Sequence, residues 1–209
     1  MHYEILDKVR IDLLPTLAQF KSDFYLAGGT GLALQIGHRD SVDFDFFMPG
    51  HLDTRKLYER VREVCHGRKI EKTQEEKDTL SIILDGELKV SYFGYPYPLV
   101  DGLIQSEYLD IAPIRDIACM KLSAITGRSV LKDYVDLYFI LRAHPLPDIL
   151  AILARKMPDQ DQNLVLKCLT YFDDVLPEHV LFKNGADVSF DTIKKFLVAE
   201  VKQLYMGGL

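Results

Sequence analysis

Apolar and polar positions repeat with two different periods over the first half of the chain. Spacings of three to four residues predict amphipathic helices, and strict alternation predicts strands. In chain order, the predicted elements are a helix at residues 3–20 that Pro15 could bend, a strand at 24–27, a short helix at 32–36, a strand at 42–47 and a helix at 53–65. Gly28 and Gly29 follow the first strand and predict a tight turn before the short helix.

The second half begins with a hairpin and continues with helices only. Apolar runs at residues 80–84 and 88–93 flank the turn dipeptide Asp85-Gly86, which predicts two antiparallel strands. After Pro113 the helical spacing returns, at residues 114–126, 130–142, 147–156, 163–172 and 190–205. The pattern therefore predicts a mixed α/β fold in two parts, an α/β domain over residues 1–112 and a helical domain over residues 113–209.

Composition restricts the class of protein. The chain has 209 residues, 48% of them hydrophobic, which suits one large domain or two small ones. The formal net charge of -6 argues against a general affinity for nucleic acid, although a local basic patch could still bind a nucleotide or tRNA. Residues 1–10 do not resemble a signal peptide, and no run approaches the roughly 20 apolar residues of a membrane span. We expect a soluble, cytoplasmic protein.

Cysteines and histidines give no sign of a zinc site. Cys65, Cys119 and Cys168 lie far apart in apolar surroundings, which is typical of reduced core cysteines. The six histidines form no HxH or HxxxH pair. His38 is predicted to be an exposed loop residue, with contact to a substrate phosphate as the alternative.

Asp43 and Asp45 are the strongest candidates for chemistry. Carboxylates at positions i and i+2 of a strand project from the same face, about 6–7 Å apart along the chain. Such a pair repels itself when ionised, and Mg²⁺ relieves that repulsion because it binds through one or two carboxylates together with substrate phosphates. The alternative is that both are simply the solvated face of an amphipathic strand.

Upstream of this pair lies a candidate phosphate site. Gly28, Gly29 and Thr30 stand between a predicted strand and a predicted helix, where backbone amides and a hydroxyl can hold a triphosphate. Arg39 and Ser41 offer further contacts to phosphate or to a carboxylate. A plain turn is the alternative for the glycines.

Two blocks of residues resemble the AbiEii/AbiGii-type nucleotidyltransferase toxins, which belong to the DNA polymerase β-like nucleotidyltransferase superfamily. The first block comprises Ala27-Gly28-Gly29-Thr30, Ala33-Leu34 and Arg39-x-Ser41-x-Asp43-x-Asp45-Phe46-Phe47, and the second comprises Lys121-Leu122-x-Ala124-Ile125-x-Gly127-Arg128 and Lys132-Asp133-Tyr134-x-Asp136-Leu137-Tyr138. They span about half of the chain. The resemblance implies a polymerase β-like mixed sheet with flanking helices, followed by a helical region that completes the cleft.

The resemblance also implies roles for individual residues. Those that match the family's catalytic positions are Asp43, Asp45, Lys121 and Asp133, with Asp43 and Asp45 as ligands of Mg²⁺ or Mn²⁺. Those that match nucleotide-binding positions are Gly28, Gly29, Thr30, Arg39, Ser41, Arg128, Lys132 and Asp136. Helical spacing allows Lys121, Arg128 and Lys132 to face the metal site together, or alternatively to form an ordinary solvated helix surface.

The implied function is transfer of a nucleotide from a nucleoside triphosphate to a hydroxyl of tRNA or of a protein, by a toxin that has a cognate antitoxin or acts in phage defence. Family members usually carry a third carboxylate on a later strand, but the predicted strand at residues 88–93 has Ser91 at about that position. Asp85 and Glu87 lie in the adjacent turn. Loss of a general base typically costs about 10²–10⁴-fold in rate. A weakened enzyme, a two-carboxylate enzyme, a nucleotide-binding pseudoenzyme and a pure interaction protein therefore stay open.

The aromatic residues at positions 92, 93, 95 and 97 could stack on a base or belong to the core and strand edge.

Overall fold

The computed structural model describes residues 1–206, and within them seven strands form one mixed sheet. The strands are β1 (Tyr25–Leu26), β2 (Phe44–Pro49), β3 (Ile70–Glu76), β4 (Thr79–Leu84), β5 (Leu88–Tyr95), β6 (Ile104–Gln105) and β7 (Asp110–Ile111). Their order across the sheet is β3-β4-β5-β2-β1-β7-β6. The central strand β2 runs antiparallel to β1 and parallel to β5.

Helices cover both faces of this sheet. They are α1 (Lys8–Leu17), α2 (Gly28–Ile36), α3 (Thr54–Val64), α4 (Ile114–Ala124), α5 (Leu131–Ala143), α6 (Leu146–Lys156), α7 (Gln162–Thr170) and α8 (Phe190–Met206). The last strand ends at Ile111, after which the described chain forms only helices and loops. The predicted α/β fold class is confirmed, and its division into two domains at residue 112 stays a prediction.

Two hydrophobic clusters hold these layers together. One packs α1, α2 and α3 against β2, β4 and β5, and Phe44 and Phe46 of β2 belong to it. The other joins α4 to α8 with Tyr25, Ala27 and Leu32 of the N-terminal half. Because side chains alternate along a strand, Phe44 and Phe46 anchor β2 in the first cluster while Asp45 and Phe47 project from its opposite face.

Several sequence predictions of the element boundaries were wrong. The strand predicted at residues 42–47 begins at Phe44, and Val42 is 47% exposed rather than buried. The reason is that backbone groups before Phe44 have partners outside the sheet, since the Arg10 guanidinium binds the carbonyl of Val42. The helix predicted at residues 3–20 is α1 with a 3₁₀ turn on either side, and α2 begins at Gly28 rather than after a glycine turn.

The sequence pattern also missed three strands. Strand β3 is an edge strand whose side chains are almost all exposed, so it carries no alternation of apolar residues. Strands β6 and β7 have two residues each, which is too short for a periodic signal. In the described part of the chain no single helix is long and apolar enough to cross a membrane; α5 and α6 reach that length and composition only as a pair, which is bent by 112°.

Candidate active site

A cleft of about 860 Å³ lies between the sheet and the helical half of the chain. One wall is the face of β2 and β5 that projects away from the first hydrophobic cluster, and the other wall is α4 with the segment that leads into α5. Asp43 and Asp45 both line this cleft, as do Lys121 and Lys132 from the opposite wall. The structure thus brings the two predicted motifs to one site.

The two aspartates form a pair of like charges, of which Asp45 is the more buried. Burial raises the pKa of Asp45, and the negative charge of Asp43 raises it further, while Lys121, Lys89 and Arg128 act in the opposite direction. The Lys89 ammonium lies 4.0 Å from the Asp43 carboxylate. A divalent cation at this position would relieve the repulsion between the two carboxylates.

The donor set fits a metal that is shared with a phosphate ligand. Asp43 and Asp45 supply two carboxylates, and Mg²⁺ commonly binds to one or two carboxylates plus substrate phosphates. Among residues 1–206, no group of three histidine, cysteine or acidic side chains could hold a metal. A site built from these residues would therefore need oxygen ligands from the substrate.

Gly28 is the point where backbone and carboxylate approach each other most closely. Its φ of +63° lies in the left-handed region, and a Cβ at this position would stand 2.7 Å from the Asp45 carboxylate oxygen. At Gly29 a Cβ would stand 2.5 Å from the Arg39 guanidinium. Both glycines line the cleft at the beginning of α2, where the amides of a helix N-terminus favour an anion.

Thr30 supports the site from below instead of lining it. Its side chain is only 1% exposed, and its hydroxyl hydrogen-bonds to the Ser41 hydroxyl at 2.7 Å and to the carbonyl oxygen of Asp43. These bonds tie the segment before β2 to α2. Ser41 lines the cleft and Thr30 does not, so a direct contact between Thr30 and a nucleotide stays a prediction that its burial does not favour.

Beneath the cleft lies a cluster of five charged side chains, four of them buried. Asp136 accepts two hydrogen bonds of 2.7 Å from the Arg39 guanidinium, and the Lys121 ammonium lies 2.7 Å from the same carboxylate. Lys121 also donates to Asp133 at 2.6 Å, and Arg128 donates to Asp133 at 2.8 Å. Three cations and two carboxylates leave this cluster with one net positive charge next to Asp45.

Asp136 cannot contact a nucleotide in this arrangement, because its side chain has no exposed surface. Burial alone would raise the pKa of Asp136, but the Arg39 and Lys121 cations and the His38 hydrogen bond outweigh burial and hold that pKa well below its usual range. The nucleotide-binding role of Asp136 stays a prediction, which its burial and its bonds to Arg39, Lys121 and His38 do not favour. Arg39, Lys121 and Arg128 all line the cleft, and Arg128, with 58% of its side chain exposed, is the most open of the three.

His38 also departs from both sequence interpretations. It is buried, and its Nε2 lies 2.8 Å from the Asp136 carboxylate. It is neither an exposed loop residue nor a phosphate ligand, because the bond to Asp136 holds it among the packed helices.

Lys132 does line the cleft, where Glu178 of the loop between α7 and α8 pairs with it.

Ser91 stands where the sequence predicts the missing acid. It is the register partner of Asp45 on the neighbouring parallel strand, it is buried, and it accepts a 3.1 Å hydrogen bond from Ser81. Asp85 and Glu87 lie at the hairpin end and do not line the cleft, and Asp85 pairs instead with Arg68. Neither residue replaces the third carboxylate.

Lys89 and Phe47 are cleft residues that were not among the predicted site residues. Lys89 occupies the position two residues before Ser91 on β5, and Phe47 occupies the position two residues after Asp45 on β2. Both could have been found from the period of two, because it places them on the same strand faces as Ser91 and Asp45.

Comparison with known proteins identifies the family. The family model described as "Nucleotidyl transferase AbiEii toxin, Type IV TA system" matches residues 12–201. The chain belongs to the AbiEii nucleotidyltransferase toxin family. The resemblance in the two sequence blocks is therefore confirmed. The AbiEii-family chain is also 35% identical over 188 residues to the protein aq_aa25 of Aquifex aeolicus (strain VF5), an alignment that covers 87% of this chain and 88% of that protein.

Solved structures show the same fold. MenT4, a nucleotidyltransferase toxin of Mycobacterium tuberculosis H37Rv, is similar with a TM-score of 0.67 and 18% identity, over 94% of this chain and 82% of that one. JHP933 of Helicobacter pylori is similar with a TM-score of 0.60 and 17% identity, over 99% and 94% of the two chains. The nucleotidyltransferase fold of this AbiEii-family chain is thus shared across proteins of low sequence identity.

Proposed function

We propose that this AbiEii-family protein transfers a nucleoside monophosphate from a nucleoside triphosphate to a hydroxyl group of an RNA, such as tRNA, or of a protein. In this reaction the acceptor oxygen forms a bond to the α-phosphorus, the bond from that phosphorus to the bridging oxygen breaks, and pyrophosphate leaves. The hydroxyl proton passes to water in the cleft. The observation that carries the proposal is that Asp43 and Asp45 face Arg128 across one cleft, beside the N-terminus of α2.

Different groups of the cleft bind different parts of the triphosphate. The amides at Gly28 and Gly29 hold the outer phosphates, and Arg128 and Lys132 neutralise their charge. Lys121 and Asp133 keep Arg128 in position through their buried ion pairs. Asp43 and Asp45 would hold Mg²⁺ or Mn²⁺. A metal bound there would neutralise the charge that develops on the leaving pyrophosphate.

Membership of the AbiEii family supports a role as a toxin with a cognate antitoxin, acting in the cytoplasm, where nucleoside triphosphates are available. Modification of tRNA would then stop growth until the antitoxin intervenes. The acceptor is an RNA in our proposal, with a protein as the alternative.

The experiment is incubation of the purified protein with each labelled nucleoside triphosphate, Mg²⁺ or Mn²⁺, and total RNA or cell extract. The proposal predicts label on a macromolecule in the wild type and none in Asp43→Ala. Digestion with ribonuclease or protease then identifies the acceptor class.

A second candidate function is a nucleotide-binding module without catalysis. The observation that favours it is Ser91 in place of an acid opposite Asp45. Binding of a triphosphate without transfer to any acceptor in the same incubations would support this candidate and contradict the enzyme.

A further inference from the structure

The sheet wall of the cleft changes from charged to aromatic along the direction of its strands. Two residues along a strand advance by about 6.7 Å on one face. The cleft-facing positions are, in strand direction, Asp43, Asp45 and Phe47 on β2 and its approach, and Lys89, Ser91, Phe93 and Tyr95 on β5. Phe47 and Phe93 therefore lie one two-residue step beyond Asp45 and its register partner Ser91, and Tyr95 lies two steps beyond.

The opposite wall changes in the same direction. On α4, Ile117 and Met120 precede Lys121, and Arg128 follows the helix. Lys121 and Arg128 lie close enough to Asp45 to lower its pKa, so the charged ends of the two walls face each other. Met120 packs against the same hydrophobic cluster as Phe47 and Tyr95, so the apolar ends also face each other.

Phe47, Phe93 and Tyr95 form an aromatic group at this end of the cleft. The ring centroids of Phe47 and Phe93 are 4.9 Å apart and those of Phe47 and Tyr95 are 5.5 Å apart. All three side chains are only half-buried although they lie beside the core, so each keeps surface that is open to the cleft.

A buried ion pair holds this group in place. The Lys156 ammonium lies 5.6 Å from the centre of the Tyr95 ring and donates hydrogen bonds of 2.6 Å to Asp116 and to the carbonyl oxygen of Pro98. Lys156 and Asp116 have no exposed side-chain surface. The Tyr95 ring thus lies against an ammonium group that its own hydrogen bonds hold in place.

We propose that the aromatic group binds the base of the nucleoside triphosphate, a proposal that rests on the function proposed above. With the phosphates at Asp45 and Gly28, the ribose spans the first step of about 6.7 Å and the base reaches Phe47 and Phe93, beside the Tyr95 ring. Aromatic rings stack on any nucleobase. The volume of about 860 Å³ suits one small ligand of this size better than a length of RNA, so the base belongs to the nucleotide and not to the acceptor.

The test compares ligands with and without a base. Calorimetric titration in Mg²⁺ would measure the binding of ATP, CTP, GTP and UTP in turn, and of tripolyphosphate, which lacks both base and ribose. The variants are Phe93→Leu and Tyr95→Leu. Tyr97→Leu is the matched control, because Tyr97 lies 5.3 Å from Tyr95 in the same aromatic cluster but does not line the cleft.

The wild type should bind at least one nucleoside triphosphate more tightly than tripolyphosphate. Phe93→Leu and Tyr95→Leu should each weaken that nucleotide by about 5- to 100-fold while tripolyphosphate affinity stays unchanged, and Tyr97→Leu should change neither.

Four results would overturn the proposal. Unchanged nucleotide affinity in both variants would reject the base site while leaving the triphosphate site intact. An equal loss of both ligands would mean that the rings only support the fold. A loss confined to the affinity for an RNA acceptor would assign the aromatic group to the acceptor. Failure of the wild type to bind either ligand would reject the base site together with the proposed function.

Discussion

Ser91 on β5 is the cross-strand partner of Asp45 on β2, so a hydroxyl group and a carboxylate stand side by side at the centre of the cleft. Adjacent strands are separated by about 4.8 Å. An acid at position 91 would therefore lie within reach of any metal held by Asp45. The free protein instead presents two carboxylates, and we infer that the triphosphate completes the set of oxygen ligands.

Metal and nucleotide should consequently bind with positive coupling. Mn²⁺ should bind weakly to the free wild type and more tightly with a non-hydrolysable triphosphate, and each ligand should raise the affinity of the other by the same factor. Ser91→Asp should tighten Mn²⁺ binding to the free protein at least about tenfold, because it adds a ligand beside Asp45. Calorimetric titration of Mn²⁺ measures both effects.

Ser81→Asp is the matched control for this substitution. Ser81 lies one strand farther from Asp45 and is the register partner of Ser91, so a carboxylate there should not tighten Mn²⁺ binding. Tight binding of Mn²⁺ by the free wild type, unchanged in Ser91→Asp, would contradict the inference that the site lacks a ligand.

Gly28 should be needed for triphosphate binding because a side chain at this position would contact Asp45, and not only because its φ is positive. Gly28→Ala and Gly50→Ala both place a side chain at positive φ, +63° and +81°, and each should cost about 1–2 kcal/mol of unfolding free energy. Only Gly28→Ala also drives a Cβ against the Asp45 carboxylate, since the space around Gly50 is open. Triphosphate binding should fall in Gly28→Ala and stay normal in Gly50→Ala. Equal binding by the two variants would show that Asp45 can move without consequence.

Asp136 should act on stability, because it lies beneath the cleft. Asp136→Asn leaves Arg39 and Lys121 buried with a deficit of negative charge, which should cost about 3–5 kcal/mol in urea unfolding. The partly exposed pair of Lys132 with Glu178 provides the comparison, and Glu178→Gln should cost less than about 1 kcal/mol. A stable Asp136→Asn variant that fails only to bind nucleotide would restore the direct contact that the sequence suggested.

His38 should make the protein less stable in mild acid. Burial lowers the pKa of His38, and Asp136 only partly offsets that effect beside the Arg39 and Lys121 cations. Below the ordinary pKa of about 6.5 the unfolded chain therefore binds a proton that the folded chain does not. The unfolding free energy should fall as pH drops through this window, by at most about 1.4 kcal/mol per pH unit.

The variant His38→Gln should remove this part of the pH dependence. His66→Gln, at an exposed position in the loop after α3, is the control and should leave the pH dependence as in the wild type. Urea unfolding of the three proteins between pH 5 and pH 7.5 gives the comparison. A wild-type curve parallel to that of His38→Gln would show that His38 takes up its proton equally in both states.

The elements with a clear period could be predicted from the sequence, and the polar interior could not. The alternation around Asp45 and the Asp85-Gly86 hairpin gave strands close to their true positions, because one face of each strand is apolar. The pairing of Arg39 with Asp136 joins residues 97 positions apart, and no local spacing encodes it. Spacing places charged residues on one side of a helix without saying whether that side faces water.

The backbone before β2 was misjudged for a similar reason. Val42 fits the alternation of the strand, but side chains from distant elements hold the backbone there, since Arg10 and Thr30 bind the carbonyls of Val42 and Asp43. These contacts compete with the ladder of β2, so the strand starts at Phe44. The same contacts bury Thr30, which the sequence placed at the surface of the cleft.

The most direct test of nucleotidyl transfer uses one nucleoside triphosphate labelled separately on the α- and the γ-phosphate, with Mg²⁺ and total RNA. We expect the α-label to join the RNA while the γ-label leaves as pyrophosphate. Asp45→Asn should lower the transfer at least about 100-fold, and Asp85→Asn, in the hairpin turn outside the cleft, should leave it unchanged. Transfer of γ-label to the RNA, or transfer of α-label that survives Asp45→Asn, would contradict nucleotidyl transfer at this site.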